Sequence, residues 1–523
     1  MALRSAVPRV SLAGLCFLAL LAAPVYGQDS VSSPQEPITT LRSTTRMVVL
    51  DVVVTDKSGR PVSNLSRNDF MITEDKTSQV IADFERPDQH RYSITTEDSK
   101  PGERERNGRN VASAVTILVI DCLNTEFLDT AYAREMVTKY LRTHGPRLPQ
   151  PTSIMMITDT QLELVHDYTE DAAALAEALK RHAAEFPFRY ASSQTVLGDL
   201  DRLQDTLNSL EKIAAANMNF AGRKNVIWIS QGFPSLNLST TSSLSPGAVG
   251  PDADLQRRLM AAVSTTANEM WDARLAVYTI DPRGLKVLGP SALDVPTGMK
   301  TFENIAPQTG GKIFLNRNDV DVAMANSVDD GSDYYTLSYY PKNTNWDGNF
   351  RHIRVTLGRP DLEARTRTGY YAKAEGPDTD TKIDRELAEA VKNPLPYRGL
   401  GVTVSYKTLG GTPRMARYTI AADRHDLGWR PAPDGDRRCS IMVVAMSVSR
   451  KERVVKNDVK ALEGAVKEAK FDKEMGKPMI FTFTGDLPVD AARVRVVVRD
   501  DKTGKIGSAD LSVGEAAAGP KAR

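Results

Sequence analysis

The sequence predicts two kinds of architecture in one chain, α/β plus all-β: a doubly wound parallel sheet flanked by β-sandwich-like domains. Three observations lead there. Residues 112–331 alternate apolar strand-like runs with amphipathic helical stretches, the pattern of a parallel sheet crossed by helices. Residues 45–92 and 332–373 show the two-residue alternation of strands, broken by turn signals. Residues 393–513 carry short β-runs at the spacing of a sandwich.

Taken in order, residues 1–27 have the physical pattern of a secretory signal peptide. Arg4 and Arg9 precede an apolar stretch from Val10 to Ala23, and Val25 and Gly27 place cleavage before Gln28. That stretch, about fourteen residues, is short for a membrane span. No later run is long and apolar enough to span, so an exported chain is expected, in the periplasm, the cell envelope or outside the cell. Residues 28–44 are Pro/Ser-rich and read as a flexible leader. Residues 45–92 form a small β unit, opening on MVVLDVVVTD with a turn at Lys57–Arg60. Residues 93–111 are charged, poor in apolar side chains, and read as a linker.

Within 112–331 the expected strands are 115–120, 153–158, 225–230, 275–280 and a shorter one near 312–315. Helical patterns fill 127–143, 170–184 and 253–271, and Leu200, Leu203, Leu207, Leu210 and Ile213 recur at steps of three and four along another. Gly310-Gly311 reads as a helix-to-strand turn. Residues 332–373 hold the strands YYTLSYYP, FRHIRVTL and ARTRTGYYA, whose alternating Tyr fit a packed sheet face. Arg365 and Arg367, interleaved with Thr, read as a solvated strand face. The order of the elements also allows 45–92 and 332–373 to join into one sandwich around an inserted α/β domain. Residues 374–392 read as an acidic linker and 393–513 as a C-terminal β-sandwich, with 451–476 as a helical excursion or long loop. Residues 514–523 are Ala/Gly-rich and read as a disordered tail.

Several function classes fall away on composition. The formal charge of +1 gives no global field for nucleic acid. The six histidines form no HExxH or other metal-ligand spacing, and there is no GxSxG elbow, no GxxxxGKS loop and no GxGxxG after the first strand. After cleavage only Cys122 and Cys439 remain, which is too few for a disulfide framework. Cys122 has no His beside it in sequence to lower its pKa, so the chain does not read as an enzyme.

What points to a site is VTILVI-Asp121-Cys122-Leu123-Asn124-Thr125. An unbroken apolar run fits a strand buried on both faces, and ligands of such sheets bind at the carboxyl ends of strands, where Asp121 falls. Together with GRKNVIWISQGFP (222–234), LAVYTIDPRGL (275–285) and IAPQTGGKIF (305–314), it resembles a von Willebrand factor type A domain. The flanks VSNLSRNDFMITED (62–75), FRHIRVTL (350–357) and RTGYYA (367–372) extend the resemblance to the VWFA-related proteins exported by Acidobacteria.

The resemblance implies a Rossmann-like sheet with a metal-ion-dependent adhesion site at its upper edge, built from Asp-x-Ser-x-Ser, a loop Thr and a later Asp. Such hard oxygen ligands suit Mg²⁺ or Mn²⁺. Mapped onto this chain the metal set is Asp121, Thr125 and Thr195, with Leu123 and Gln231 standing where ligands are expected. Asn124, Ser230 and Gln231 complete the candidate binding edge. Losing a carboxylate and a hydroxyl should cost several kcal/mol of ion affinity. The implied function is non-enzymatic binding or adhesion to a protein, matrix or envelope partner through a degenerate metal site. The alternative is a structural or assembly protein of the cell envelope with a metal-free site, in which Asp121 only accepts bonds from Asn124, Thr125 and nearby backbone N–H groups.

Overall fold

The structure is a computed structural model describing residues 46–90, 114–158, 161–185, 196–232, 251–284, 305–374, 376, 379–409 and 414–513. The expected signal peptide, leader, linker 93–111 and tail 514–523 lie outside the described residues, as does Thr195.

The described chain opens with β1 (Val48–Asp56), β2 (Phe70–Glu74), β3 (Thr77–Gln79) and β4 (Ile81–Glu85). The α/β segment follows: β5 (Val115–Asp121), α1 (Phe127–Thr143), β6 (Arg147–Ile157), β7 (Leu162–Asp171), α2 (Ala172–Glu185), α3 (Val196–Asn217), β8 (Lys224–Ile229), α4 (Pro251–Asp272), β9 (Leu275–Ile280), β10 (Ile313–Phe314) and α5 (Val320–Ser332). Its strands form one six-stranded sheet in the order β10-β9-β8-β5-β6-β7, parallel except for β7 at one edge. All seven residues of β5 are buried because helices cover both faces. Val115, Ile117 and Val119 pack with Leu203, Leu207, Leu210 and Ile213 of α3 and Met270 of α4. Leu118 and Ile120 face the other way, toward Val137 and Leu141 of α1, Leu175 and Leu179 of α2, and Met324 of α5. Opposite faces for alternate residues follow from the strand's two-residue period.

Four more strands follow: β11 (Tyr335–Tyr339), β12 (Asp347–Leu357), β13 (Leu362–Arg365) and β14 (Gly369–Lys373). They do not pair only among themselves. The two antiparallel sheets have the orders β13-β1-β11-β4 and β14-β12-β2-β3, so each mixes strands from before and after the α/β segment. Val48, Leu50, Val52, Val54 and Leu337 of the first share a core with Phe70, Ile72, Ile353, Val355 and Tyr370 of the second.

The stretch 374–392 is not simply a linker. It contains α6 (Asp380–Lys392), whose Leu387, Ala390 and Val391 are buried against the α3 side of the parallel sheet. Thr379 caps α6 by accepting from the Lys382 amide at 3.3 Å. Beyond it lie β15 (Val402–Leu409), β16 (Met415–Ala422), β17 (Arg430–Pro431), β18 (Asp436–Ser449), β19 (Val454–Lys467), β20 (Met479–Asp486), β21 (Ala491–Asp500) and β22 (Ile506–Ser512). These make a three-stranded sheet β15-β16-β20 and a larger sheet β17-β18-β21-β22 with β19 also on β18. One face of β18 and β21 (Ile441, Val443, Val496, Val498) packs with Tyr418, Ile420 and Phe481. Val444, Met446, Val448 and Val497 on the other face join the core under α6. The Lys/Glu-rich stretch 451–476 is mostly β19 rather than a helix or long loop, its charges lying on a strand with many exposed positions.

Arg365 and Arg367 do not form the solvated face expected of them. Arg365 donates to the Gly310 carbonyl at 3.1 Å and pairs with Asp330, and Arg367 donates to the Val49 carbonyl at 3.1 Å. They face inward because the loop from β13 to β14 runs between the antiparallel sheets and the α/β segment.

Candidate functional site at the carboxyl edge of the parallel sheet

The strand order reverses at β5: the chain continues to β6 and β7 on one side, then returns to β8, β9 and β10 on the other. In open α/β sheets such a reversal leaves a crevice outside the carboxyl ends of the strands. Asp121, last residue of β5, sits there with no exposed surface.

Its carboxylate is fully engaged. Oδ1 accepts the backbone N–H groups of Leu123 (3.1 Å) and Asn124 (2.9 Å), an Asx turn that folds the chain back after the strand. Oδ2 accepts Asn124 Nδ2 (2.9 Å), Ser230 Oγ (2.9 Å) and Trp228 Nε1 (3.2 Å). Five donors thus converge on a group with about four lone-pair sites. Burial pushes the Asp121 carboxyl above its ordinary range, and the bonds from Asn124, Ser230 and Trp228 work against that push.

The other candidate residues extend this network. Leu123 is a core residue, packed with Val119 and Met155. Asn124 Nδ2 also donates to Thr206 Oγ1 at 2.9 Å, tying the loop to α3. The Thr125 hydroxyl accepts the Gln231 backbone N–H at 3.3 Å and so bridges to the loop after β8. Ser230 Oγ accepts the Gly232 N–H at 3.2 Å while donating to Asp121. The Gln231 side chain donates to Asp129 of α1, and the Gln231 backbone carbonyl accepts Arg283 Nη2 at 3.3 Å. Arg283 in turn grips Asp281, the residue after β9, through Nη2 at 2.7 Å.

Asp121, Asn124, Thr125, Ser230 and Gln231 are therefore gathered into one hydrogen-bonded edge. Sequence reasoning missed Trp228, Thr206, Asp129, Asp281 and Arg283. Asp281 carried a usable signal, since it ends an apolar strand just as Asp121 does. An indole N–H inside an apolar strand carries none.

A divalent ion fits this donor set poorly. Both Asp121 oxygens are turned toward N–H and O–H groups, Leu123 contributes a hydrocarbon, and the amide of Gln231 donates to Asp129. Coordination would require the Asx turn to open. Among the described residues no group of three or more His, Cys, Asp or Glu is arranged to hold a metal ion. Cys122 is half-buried and Cys439 buried, and neither is in a disulfide.

Outward, the edge presents Phe127 and Leu128 in the first turn of α1, 50% and 77% exposed. Large apolar side chains this open cost solvation unless a partner covers them.

No family model matches the chain, and no curated protein matches it. Among solved structures, the crystal structure of the TFIIH p34 N-terminal domain is similar at 16% identity and a TM-score of 0.22, over 41% of this chain and 96% of that one. A TM-score that low carries no argument about fold or role.

Proposed function

We propose that the chain is an exported, non-enzymatic binding protein built on a von Willebrand factor A-type domain between β-sandwich units. Its carboxyl edge engages a protein or envelope partner without a bridging metal ion. The observation that carries this reading is the set of five donors on Asp121, which makes the carboxylate the internal tie of three segments rather than an open ligand. It holds the edge rigid so that neighbouring Phe127 and Leu128 are presented at little entropic cost. A purely structural envelope role is the second reading, favoured by the same internal saturation of the site.

Thermal unfolding of wild type and Asp121→Asn in Mg²⁺, in Mn²⁺ and in EDTA tests the metal-free claim. An Asn must turn an NH₂ toward groups that are themselves donors, so Asp121→Asn should lose about 1–3 kcal/mol for each donor left unpaired. Wild type should unfold at the same temperature in all three media, and the variant should be lowered equally in each. A bound ion at 100 times its dissociation constant would add about 2.7 kcal/mol, and such a rise in wild type would sink the reading. To separate binding from a structural role, Phe127→Asp/Leu128→Asp should leave the unfolding temperature unchanged and weaken co-sedimentation with isolated envelopes. Unaltered co-sedimentation would remove this edge as the binding surface.

A further inference from the structure

We propose that a cavity at the amino end of the parallel sheet, where the α/β segment meets the antiparallel sheets, binds one small anion of halide size. The cavity measures about 20 Å³ and is walled by Asp51 of β1, Arg223 before β8, Trp271 near the end of α4, Arg274 before β9, and Thr366 and Arg367 between β13 and β14. A single water needs roughly 10–15 Å³ of such space, so the room suits one small particle.

The charges around it do not balance. Asp51 is the one carboxylate in the wall, and Arg274 holds it through Nε at 3.0 Å and through Nη2. Arg223 is 2% exposed and has only neutral partners: Asn225 Oδ1 at 3.0 Å, the Tyr278 hydroxyl at 3.2 Å and the Gly310 carbonyl at 3.1 Å. Arg367 donates to the Val49 carbonyl at 3.1 Å. The nearby carboxylates already lie against other groups: Asp330 pairs with Lys312 and Arg365, Asp272 with Arg46, and Glu85 lies 3.5 Å from His90 Nε2 and on the Arg274 side of the wall. Two guanidinium charges, those of Arg223 and Arg367, are left without a carboxylate of their own. Burying charge in that state is unfavourable.

The hydrogen bonds point the same way. Trp271 Nε1, Arg367 Nε and Thr366 Oγ1 are buried with no partner, and all three belong to wall residues. Buried donors are almost always satisfied in folded proteins. Two of these groups can only donate and the third can. A water would accept from them but bring two hydrogens of its own into a wall whose carboxylate is already occupied. A halide accepts from all three and supplies the missing negative charge.

The test is thermal unfolding of the full chain in sodium chloride, sodium bromide and sodium gluconate at matched ionic strength. Chloride and bromide should raise the unfolding temperature saturably by a few degrees over gluconate. Arg367→Met, which removes a charge and a donor, should abolish that increment, and Thr366→Val should reduce it. Coincident halide and gluconate curves in wild type overturn the proposal. So does an increment that survives in Arg367→Met, which would place the ion elsewhere. Should Arg367→Met fail to fold, a bromide-soaked crystal of the wild type decides: anomalous density in this cavity supports the site, and its absence refutes it.

Discussion

Glu269 on α4 lies near two other carboxylates, Glu211 of α3 and Glu389 of α6. Burial is the main force that pushes its carboxyl up from 4.5 to about 7, and the two negative neighbours add to it. The folded state therefore holds this proton more tightly than the unfolded chain. Its contribution to stability falls as pH rises from about 4.5 to about 7 and is fully lost above that. Glu269→Gln should thus raise stability at pH 8 by about 1–2 kcal/mol, a linkage figure discounted for partial exposure, and change it little at pH 4. Urea unfolding of both proteins across that range checks the sign, and equal pH profiles would refute it. At this scale legibility was uneven. That a carboxylate ends β5 is a local fact of sequence, whereas the Trp228 and Ser230 that hold Asp121 lie 107 and 109 residues further along.

Among the elements, the turn into β10 shows how little space the sheet edge leaves. Gly310 takes a φ of +81°, and a Cβ on Gly311 would meet the Val277 carbonyl oxygen of β9 at 1.8 Å. The obstacle is backbone of a buried strand, so it cannot swing aside. Gly311→Ala should cost about 3 kcal/mol, and the gentler left-handed strain in Gly310→Ala about 1–2 kcal/mol. Chemical denaturation of the two variants tests that order. The helices α1 to α4 were legible because their apolar stripes follow the helical period. β7 and β19 were not, because many of their positions are only partly buried and their charged residues mask the two-residue alternation. The helical period of α6 was hidden in an acidic, Pro-bearing stretch, although its buried face joins the C-terminal sheets to the α3 side.

For the molecule as a whole, the composite sheets mean that β1, β2 and β4 find their partners among β11, β12 and β13 only after the entire α/β segment has been made, while β3 pairs locally with β2. Pairings that distant slow folding, since loop closure precedes any gain from contact. A polar tie holds the two sheets together. Glu74 of β2 accepts the Tyr339 hydroxyl of the opposite sheet at 2.6 Å, the Tyr370 hydroxyl at 3.0 Å and Arg351 Nη1 at 3.3 Å. Its side chain and that of Arg351 are 1% and 3% exposed, so removing one strands the other. Glu74→Ala should cost about 3–5 kcal/mol in urea unfolding, and Glu74→Gln, which keeps an acceptor for the tyrosines, distinctly less. Equal losses in the two variants would show that packing, not the tie, joins the sheets.

By itself the sequence determined the periodic elements and the position of Asp121 at the end of an apolar strand, because burial on one face or two is written in neighbouring residues. Only the tertiary structure decided that the two β segments interleave, that Arg365 and Arg367 turn inward, and that every donor around Asp121 already has its acceptor. Lone pairs, charge partners and strand neighbours are shared between residues far apart in the chain, and their balance exists only once those residues meet.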